Sequence, residues 1–399
     1  MKKEVESPFA SASYKANPYD LYEKLRRDTP VHKTILPDGV EIYLVTRYQD
    51  VQSGLKDVRL VKDVRNARPK GWLEKMGIGM SSNNNMLKAD PPNHTRLRGL
   101  ANEAFKPKYI NQLRGHIEEI TNQLLDKVQS AGRMDLISDF AFPLPITVIS
   151  EMLGVPAEDH DKFRQWSSDL IASGVLSSET PSMAPALLQL GNYIRTLIVD
   201  HRKNPREDVI SQLIDAEQNG DRLNELELVS TILLLLVAGH ETTVNLIGNG
   251  MLVLMQNPDQ LDKLKADPTL IKPAVEEILR YVNPVQLVNR YAAEDLEIGG
   301  QPIPRGSHLW LLLAAANHDP AYVNDPGTLN ITREEARHVA FSQGIHYCLG
   351  APLARLEGEI AFTALLKRLP NIHLTIDPEN LEWRPALELR GLQSLPVSF

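Results

Sequence analysis

FSQGIHYCLGAPLARLE, Phe341 to Glu357, carries the only cysteine of a 399-residue chain, Cys348, with glycines at 344 and 350 and a helical pattern immediately after it. Pro352 falls in the first turn of that pattern, where its missing N–H costs nothing. The positive end of a helix favours a thiolate over a thiol. Gly344 and Gly350 allow backbone angles, or the close approach of a flat ligand, that a side chain would obstruct. A buried structural thiol is the ordinary fate of a lone cysteine, but it explains neither glycine. A zinc site from His338, His346 and Cys348 needs further ligands. A nucleophilic cysteine wants a base, and His346, two positions away in an extended loop, points badly for that role.

A second feature lies a hundred residues upstream. The segment Leu223 to Met255 is apolar on nearly every side, as a helix running through a core would be, yet its centre is AGHETT, Ala238 to Thr243. Gly239 costs roughly 1 kcal/mol there relative to alanine, and Glu241 is costly to bury without a partner. Thr242 and Thr243 can bond back to the carbonyls of Ala238 and Gly239, which loosens and bends a helix. A glycine kink with a solvated His-Glu face is the plain alternative. Iron in a haem, ligated by the thiolate on one side and facing this helix on the other, uses both features.

Two weaker signals accompany them. Glu277 and Arg280 share a helix face, but the same spacing recurs at Glu23/Arg26 and Glu334/Arg337, and a surface ion pair stabilises little. DPPNHTRLRG, Asp90 to Gly99, opens a helix after two prolines and sets His94 and Arg98 four apart, where two donors could grip a carboxylate or phosphate. A solvated basic helix end fits that segment equally.

Composition excludes several classes. With 43 Lys and Arg against 51 Asp and Glu, the formal net charge is −8, so no global field favours nucleic acid. The first twenty residues have no apolar targeting core, and the longest apolar run, Ile232 to Ala238, is far short of a membrane span. We therefore expect a cytoplasmic protein without a membrane segment, and one cysteine excludes an intramolecular disulfide.

The order of patterns is a short helix at Tyr19–Arg27, two strands turning at Pro37, Asp38 and Gly39, and a loop over 65–93. Helices then dominate from Thr95 to about Arg280, with INQLRGHIEEITNQLLDKVQ and ALLQLGNYIRTLIVDHR among the clearest. Strands resume after Pro284, SHLWLLLAAA among them, before the helix that follows Cys348 and a tail of turns and strands. A single domain spanning 1–399, mainly α with a smaller β-rich lobe from about 30–65, 285–315 and 372–399, is the expectation.

The chain resembles the cytochrome P-450 family, specifically its soluble bacterial members. The resemblance runs from PYDLYEKLRRDTPVH through DPPNHTRLR, AGHETT, EEILR, NRYAAEDLEIGG and AANHDP to FSQGIHYCLGAPLARLE. It implies the family's fold, with one haem b between the long helix and the cysteine loop. Cys348 would then be the axial ligand, Phe341 would pack near it, and Gly344 and Gly350 would shape its loop. His94, Arg98, Arg290 and His346 match positions that bind the haem propionates, and Ala238 lies on the haem side of the long helix. Glu277 and Arg280 match a structural ion pair, with Arg333 as its third member. Ser342 stands where a glycine is usual.

The resemblance also implies a monooxygenase in which Thr242 and Glu241 deliver protons, with electrons from a separate ferredoxin or flavodoxin and its NAD(P)H-dependent reductase. Arg96, Lys106, Lys108, Arg114 and Arg355 are candidates for docking that partner. A peroxide-using peroxygenase would not need the Glu241-Thr242 pair, and neither would a non-catalytic haem sensor. Met86, Leu87, Leu234, Val237, Val285, Leu287, Val288 and Leu392 would line the pocket of a monomer acting on a bulky apolar molecule of polyketide, macrolide or terpenoid type.

Overall fold

The computed structural model describes residues 14, 16–36, 39–68, 85–102, 105, 107–163, 165–166, 185–216, 221–334 and 337–399. The expected turn at Pro37 and Asp38 lies outside them. The helices that matter for the site are α1 Tyr19–Asp28, α2 Tyr48–Lys56, α3 Asn93–Asn102, α4 Arg114–Gln129, α5 Pro143–Leu153, α6 Pro185–Lys203, α7 Glu225–Gln256, α8 Ile271–Tyr281 and α9 Ala351–Arg368. Helix α7 begins at a capping box, in which Asn224 accepts from the amides of Leu226 and Glu227 and the Glu227 carboxylate accepts from the Asn224 amide. At 32 residues it runs unbroken to Gln256, about 48 Å at the helical rise. By length and composition it could span a membrane, but 72% of its most apolar window is buried inside the protein. It packs against α5, α6, α8 and α9. Gly250 makes the last of these contacts possible, because a Cβ there would come within 2.5 Å of Phe362 Cζ.

The β-rich lobe is a five-stranded sheet of β1 Val31–Ile35, β2 Glu41–Val45, β3 Leu60–Val61, β4 Val288–Ala292 and β5 His308–Leu311, in the order β1-β2-β5-β4-β3. The β2–β5 pair is parallel and the others antiparallel. Alternation decides which residues meet which core. Tyr43, Val45, Leu309 and Leu311 enter one apolar cluster, whereas Ile42, Leu44 and Trp310 enter another with Tyr22 and Leu25. Residues 373–374, 396–398 and 133–135 form a smaller sheet that ties the C-terminus to the helical part.

Two sequence expectations need correction. SHLWLLLAAA is not one strand: the Leu312 amide makes the last sheet bond, to the Val45 carbonyl, and Leu313–Asn317 is helical. Three alanines favour the helix once the ladder has ended. INQLRGHIEEI breaks at Leu113 into Pro107–Gln112 and α4. Helix α5, which packs on the centre of α7, went unrecognised because its two prolines, 143 and 145, obscure a helical run.

Behind the cysteine loop, Glu277 and Arg280 are fully buried and joined by two hydrogen bonds of 2.8 and 2.7 Å. Arg280 also donates to the carbonyls of Asn317, Pro326 and Thr328, and Arg333 donates to Glu277 at 3.2 Å and to the Asn324 carbonyl. The loop itself closes with the Cys348 amide on the Phe341 carbonyl at 2.9 Å. Gly344 has φ +70° and a Cβ there would lie 2.7 Å from the Leu55 carbonyl, so glycine is required. Ser342 is also left-handed, with φ +61°, and its buried hydroxyl has no hydrogen-bond partner.

Glu357, in α9, is buried beside α7, with the Thr243 hydroxyl as its side-chain partner. Burial pushes its carboxyl up to about 8, and the Thr243 hydrogen bond acts the other way. Two outcomes follow. Ser342→Gly relieves a left-handed serine and should raise stability by about 1 kcal/mol, measured by denaturant unfolding. Because the folded chain keeps the Glu357 proton to higher pH than the unfolded chain, stability falls as pH rises from the usual carboxyl range toward about 8, at up to roughly 1.4 kcal/mol per pH unit. Glu357→Gln should flatten that decline, seen in unfolding midpoints at about pH 5 and about pH 8.

Candidate functional site

Cys348 is partly buried at the end of its loop. Burial pushes its thiol up, while the Gly350 and Ala351 amides at the start of α9, with Arg98 and Arg355, pull it down. The helix end therefore acts in the expected direction, but desolvation outweighs it, and a metal ion would reverse the balance by taking the proton's place. Gly350 has an ordinary φ of −82° and nothing within 4 Å of a Cβ, so only Gly344 is demanded by the backbone. Phe341 packs on the helical core, and the Arg355 guanidinium lies 4.5 Å from its ring centroid. Arg355 is held by Glu276 at 2.6 and 2.9 Å and donates to the Tyr347 hydroxyl at 3.2 Å.

Beside the sulfur lies a crowd of basic groups. His94 is buried, and neither of its ring nitrogens has a hydrogen-bond partner. Its ring meets that of His346 edge-on at 4.4 Å. Burial, then Arg290, Lys62, His94 and Arg98, hold the His346 imidazole down to about 2. Arg290 is lowered to about 10 by burial, with Asp90 opposing. Lys62 is pushed well below its usual range by burial and by Arg290 and Lys88, and its ammonium donates to Asn289 at 2.8 Å. Asp90 is largely committed elsewhere, accepting from the amides of Lys62 and Asp63 and from Asn66. Buried and half-buried basic groups that act on one another suit a ligand that brings its own carboxylates. Lys62 was missed because nothing in KDVR hints at burial, and it meets Arg290 only through the β3–β4 pairing.

On α7, Leu234, Ala238 and Thr242 form an i, i+4, i+8 stripe that other side chains leave less covered than the buried residues around it. Thr242 and Thr243 donate to the Ala238 and Gly239 carbonyls at 2.9 and 3.4 Å, yet the helix continues through them. Glu241 is buried. Desolvation pushes its carboxyl up, and Arg384, 3.1 Å away, and Asn245 pull it down. Arg384 carries no motif, and the tail brings it here from 143 positions along the chain.

The expected pocket residues divide. Met86, Leu234, Val237 and Leu392 belong to the helical core that α7 crosses. Val285 and Val288 pack against one β cluster, Leu287 is buried in the other with Tyr22 and Trp310, and Leu87 is exposed. The basic candidates for partner docking are already engaged: Arg96 with Glu227 and Asp221, Arg114 with Glu359, and Arg355 with Glu276. Lys106 and the Lys108 side chain lie outside the described residues.

Comparison with known proteins agrees with this geometry. A family profile described as cytochrome P450 matches residues 9–380. The polyketide biosynthesis cytochrome P450 PksS of Bacillus subtilis is 44% identical over 96% of each chain. The cytochrome P450 monooxygenase PikC of Streptomyces venezuelae is 42% identical over 97% of this chain and 92% of its own. The crystal structure of P450BioI with an acyl carrier protein bearing hexadec-9Z-enoic acid superposes with a TM-score of 0.88 at 38% identity, covering 98% of this chain and 100% of that one. A near full-length match of sequence and fold, centred on a cysteine loop beside buried cations, leaves one conclusion: the chain belongs to the cytochrome P450 family of haem-thiolate monooxygenases.

Proposed function

We propose that the protein binds haem b through Cys348 and hydroxylates a bulky apolar small molecule of polyketide, macrolide or terpenoid type in the cytoplasm. Ferredoxin or flavodoxin with an NAD(P)H-dependent reductase supplies the electrons. The observation that carries this reading is that buried His94, with both ring nitrogens unpartnered, meets at 4.4 Å the ring of His346, which lies two residues from the Cys348 sulfur. A soft ligand and a carboxylate-binding cluster thus adjoin, which is the donor set a haem requires. The helix that starts just after the sulfur reaches α7 through Glu357 and Thr243, so the thiol and the Thr242 stripe belong to neighbouring helices.

Bound haem supplies reductive activation of dioxygen, placing one oxygen atom in a C–H bond while the other leaves as water. The protein's residues set the conditions. His94, Arg98, Arg290 and His346, joined by Lys62, neutralise and hydrogen-bond two carboxylates. Thr242 turns its hydroxyl from the Ala238 carbonyl to donate toward the reacting centre, and Glu241 passes protons to that hydroxyl from water. Met86, Leu234, Val237 and Leu392 offer an apolar wall. The name of PksS, a polyketide biosynthesis cytochrome P450, supports the substrate class. The Glu241-Thr242 pair favours an oxygen-activating enzyme over a peroxygenase or a sensor.

Cys348→Ser should abolish the strongly red-shifted carbonyl band of the reduced protein, and a variant that keeps the band would remove the ligand assignment. Thr242→Ala should retain haem and the spectral response to an apolar probe such as myristic acid while the share of electrons lost as hydrogen peroxide rises severalfold. Unchanged coupling would remove the role of that hydroxyl.

A further inference from the structure

The C-terminal tail does more than close the small sheet. Trp383 pairs with Leu392, the Arg384 amide donates to the Gly391 carbonyl at 2.9 Å, and Gln393 returns to Glu382. The hairpin so formed sits directly on α7. Asn249 donates to the Arg390 carbonyl at 2.9 Å, and a Cβ at Gly391 would lie 1.9 Å from Asn245 Oδ1. Glu241, Asn245 and Asn249 follow at i, i+4, i+8 and make one polar ridge under this hairpin. At its end the Arg384 side chain, 24% exposed, reaches Glu241, 2% exposed, at 3.1 Å. One end of the ion pair is thus in the core and the other is wet.

Resting on the monooxygenase reading, we propose that Arg384 is a positioning residue for proton delivery: it holds the Glu241 carboxyl group turned toward the tail and offsets the cost of its ionisation, so that protons enter along this pair from the surface. The geometry carries the assignment, since a carboxylate buried this fully has little reason to stay ionised unless a cation faces it. Among the described residues, the other groups around Glu241 bring it no second cation. His240, next in the chain, is buried, donates from Nδ1 to the Leu236 carbonyl, and is held neutral down to about 4 by burial. Asn245 is uncharged and donates a long hydrogen bond of 3.5 Å to the same carboxylate. Glu357 of α9 engages Thr243, and α5 presents the apolar Ile149 to α7 at Gly239.

The test compares Arg384→Gln, Arg384→Lys, Glu241→Gln and the Arg384→Gln/Glu241→Gln double variant in the haem-loaded protein, with a plant-type ferredoxin and reductase and myristic acid as the probe. Arg384→Gln should raise the peroxide share of NADPH electrons severalfold and enlarge the solvent isotope effect on turnover. Its leakage should also decline only at a higher pH than in the parent, because an unpaired Glu241 stays protonated further upward. The double variant should leak no more than Glu241→Gln alone, and Arg384→Lys should stay near the parent. Independently of turnover, Arg384→Gln should lower the unfolding midpoint less in the Glu241→Gln background than in the parent. Parent-like coupling and isotope effect in Arg384→Gln, with Glu241→Gln leaking, would overturn the proposal and leave the proton role of Glu241 standing. Parent-like coupling in Glu241→Gln would instead overturn that role itself. Leakage in Arg384→Lys equal to that in Arg384→Gln would overturn the electrostatic account.

Discussion

The architecture depends on one buried ion pair. Glu277 and Arg280 are both fully excluded from water and bonded to each other through two contacts. An isolated buried charge is expensive, and removing one partner of such a pair typically costs about 3–5 kcal/mol. The remaining donors of Arg280 and the two terminal nitrogens of Arg333, whose Nε also donates to Glu277, are spent on main-chain carbonyls between Asn317 and Thr328. Those bonds order an irregular stretch with little regular structure of its own. Asn317, in turn, accepts from the Val339 amide, just before the cysteine loop. The loop's position is thus inherited from α8 through a chain of hydrogen bonds.

Around the sulfur, the protein has concentrated charge of one sign. Lys62, Arg290, Arg98, His94 and His346 come from the residue after β3, from β4, from α3 and from the cysteine loop, so four segments must dock before the cluster exists. Such a cluster is unfavourable for an isolated chain, and the balance shifts once carboxylates bind there. Ligand binding and stability are coupled for that reason. The opposite arrangement occurs at Glu241, where an acid is buried in the core helix and the tail supplies the cation.

Much of this was legible from local pattern. The capped, all-round apolar α7, the glycine-bounded cysteine and the helix after it are each encoded within one run of residues. Family resemblance located Arg290, His346 and the ion pair. What failed did so for identifiable reasons. Leu287, in the irregular stretch just before β4, is buried with Tyr22 and Trp310, a burial that no local pattern marks. Ser342 stands where a glycine is usual, and only its φ in the left-handed region shows what the exchange costs. Lys62 and Arg384 have no local signature, since an isolated basic residue looks the same whether it ends in water or in a core.

By itself the sequence determined the chemistry that is possible, because a lone cysteine at a helix start, a Glu-Thr step in a core helix and a His-x-x-x-Arg helix turn depend on short-range spacing. Only the tertiary structure decided which charges act together. Three E-x-x-R pairs occur along the chain, but Arg26 turns to Asp319 and the Ala315 carbonyl, and Glu334 and Arg337 stay exposed. Only Glu277 and Arg280 lose all contact with water, and that loss is what makes an ordinary ion pair into a constraint, since the attraction between charges and the penalty for separating them both grow as the surroundings become less polar.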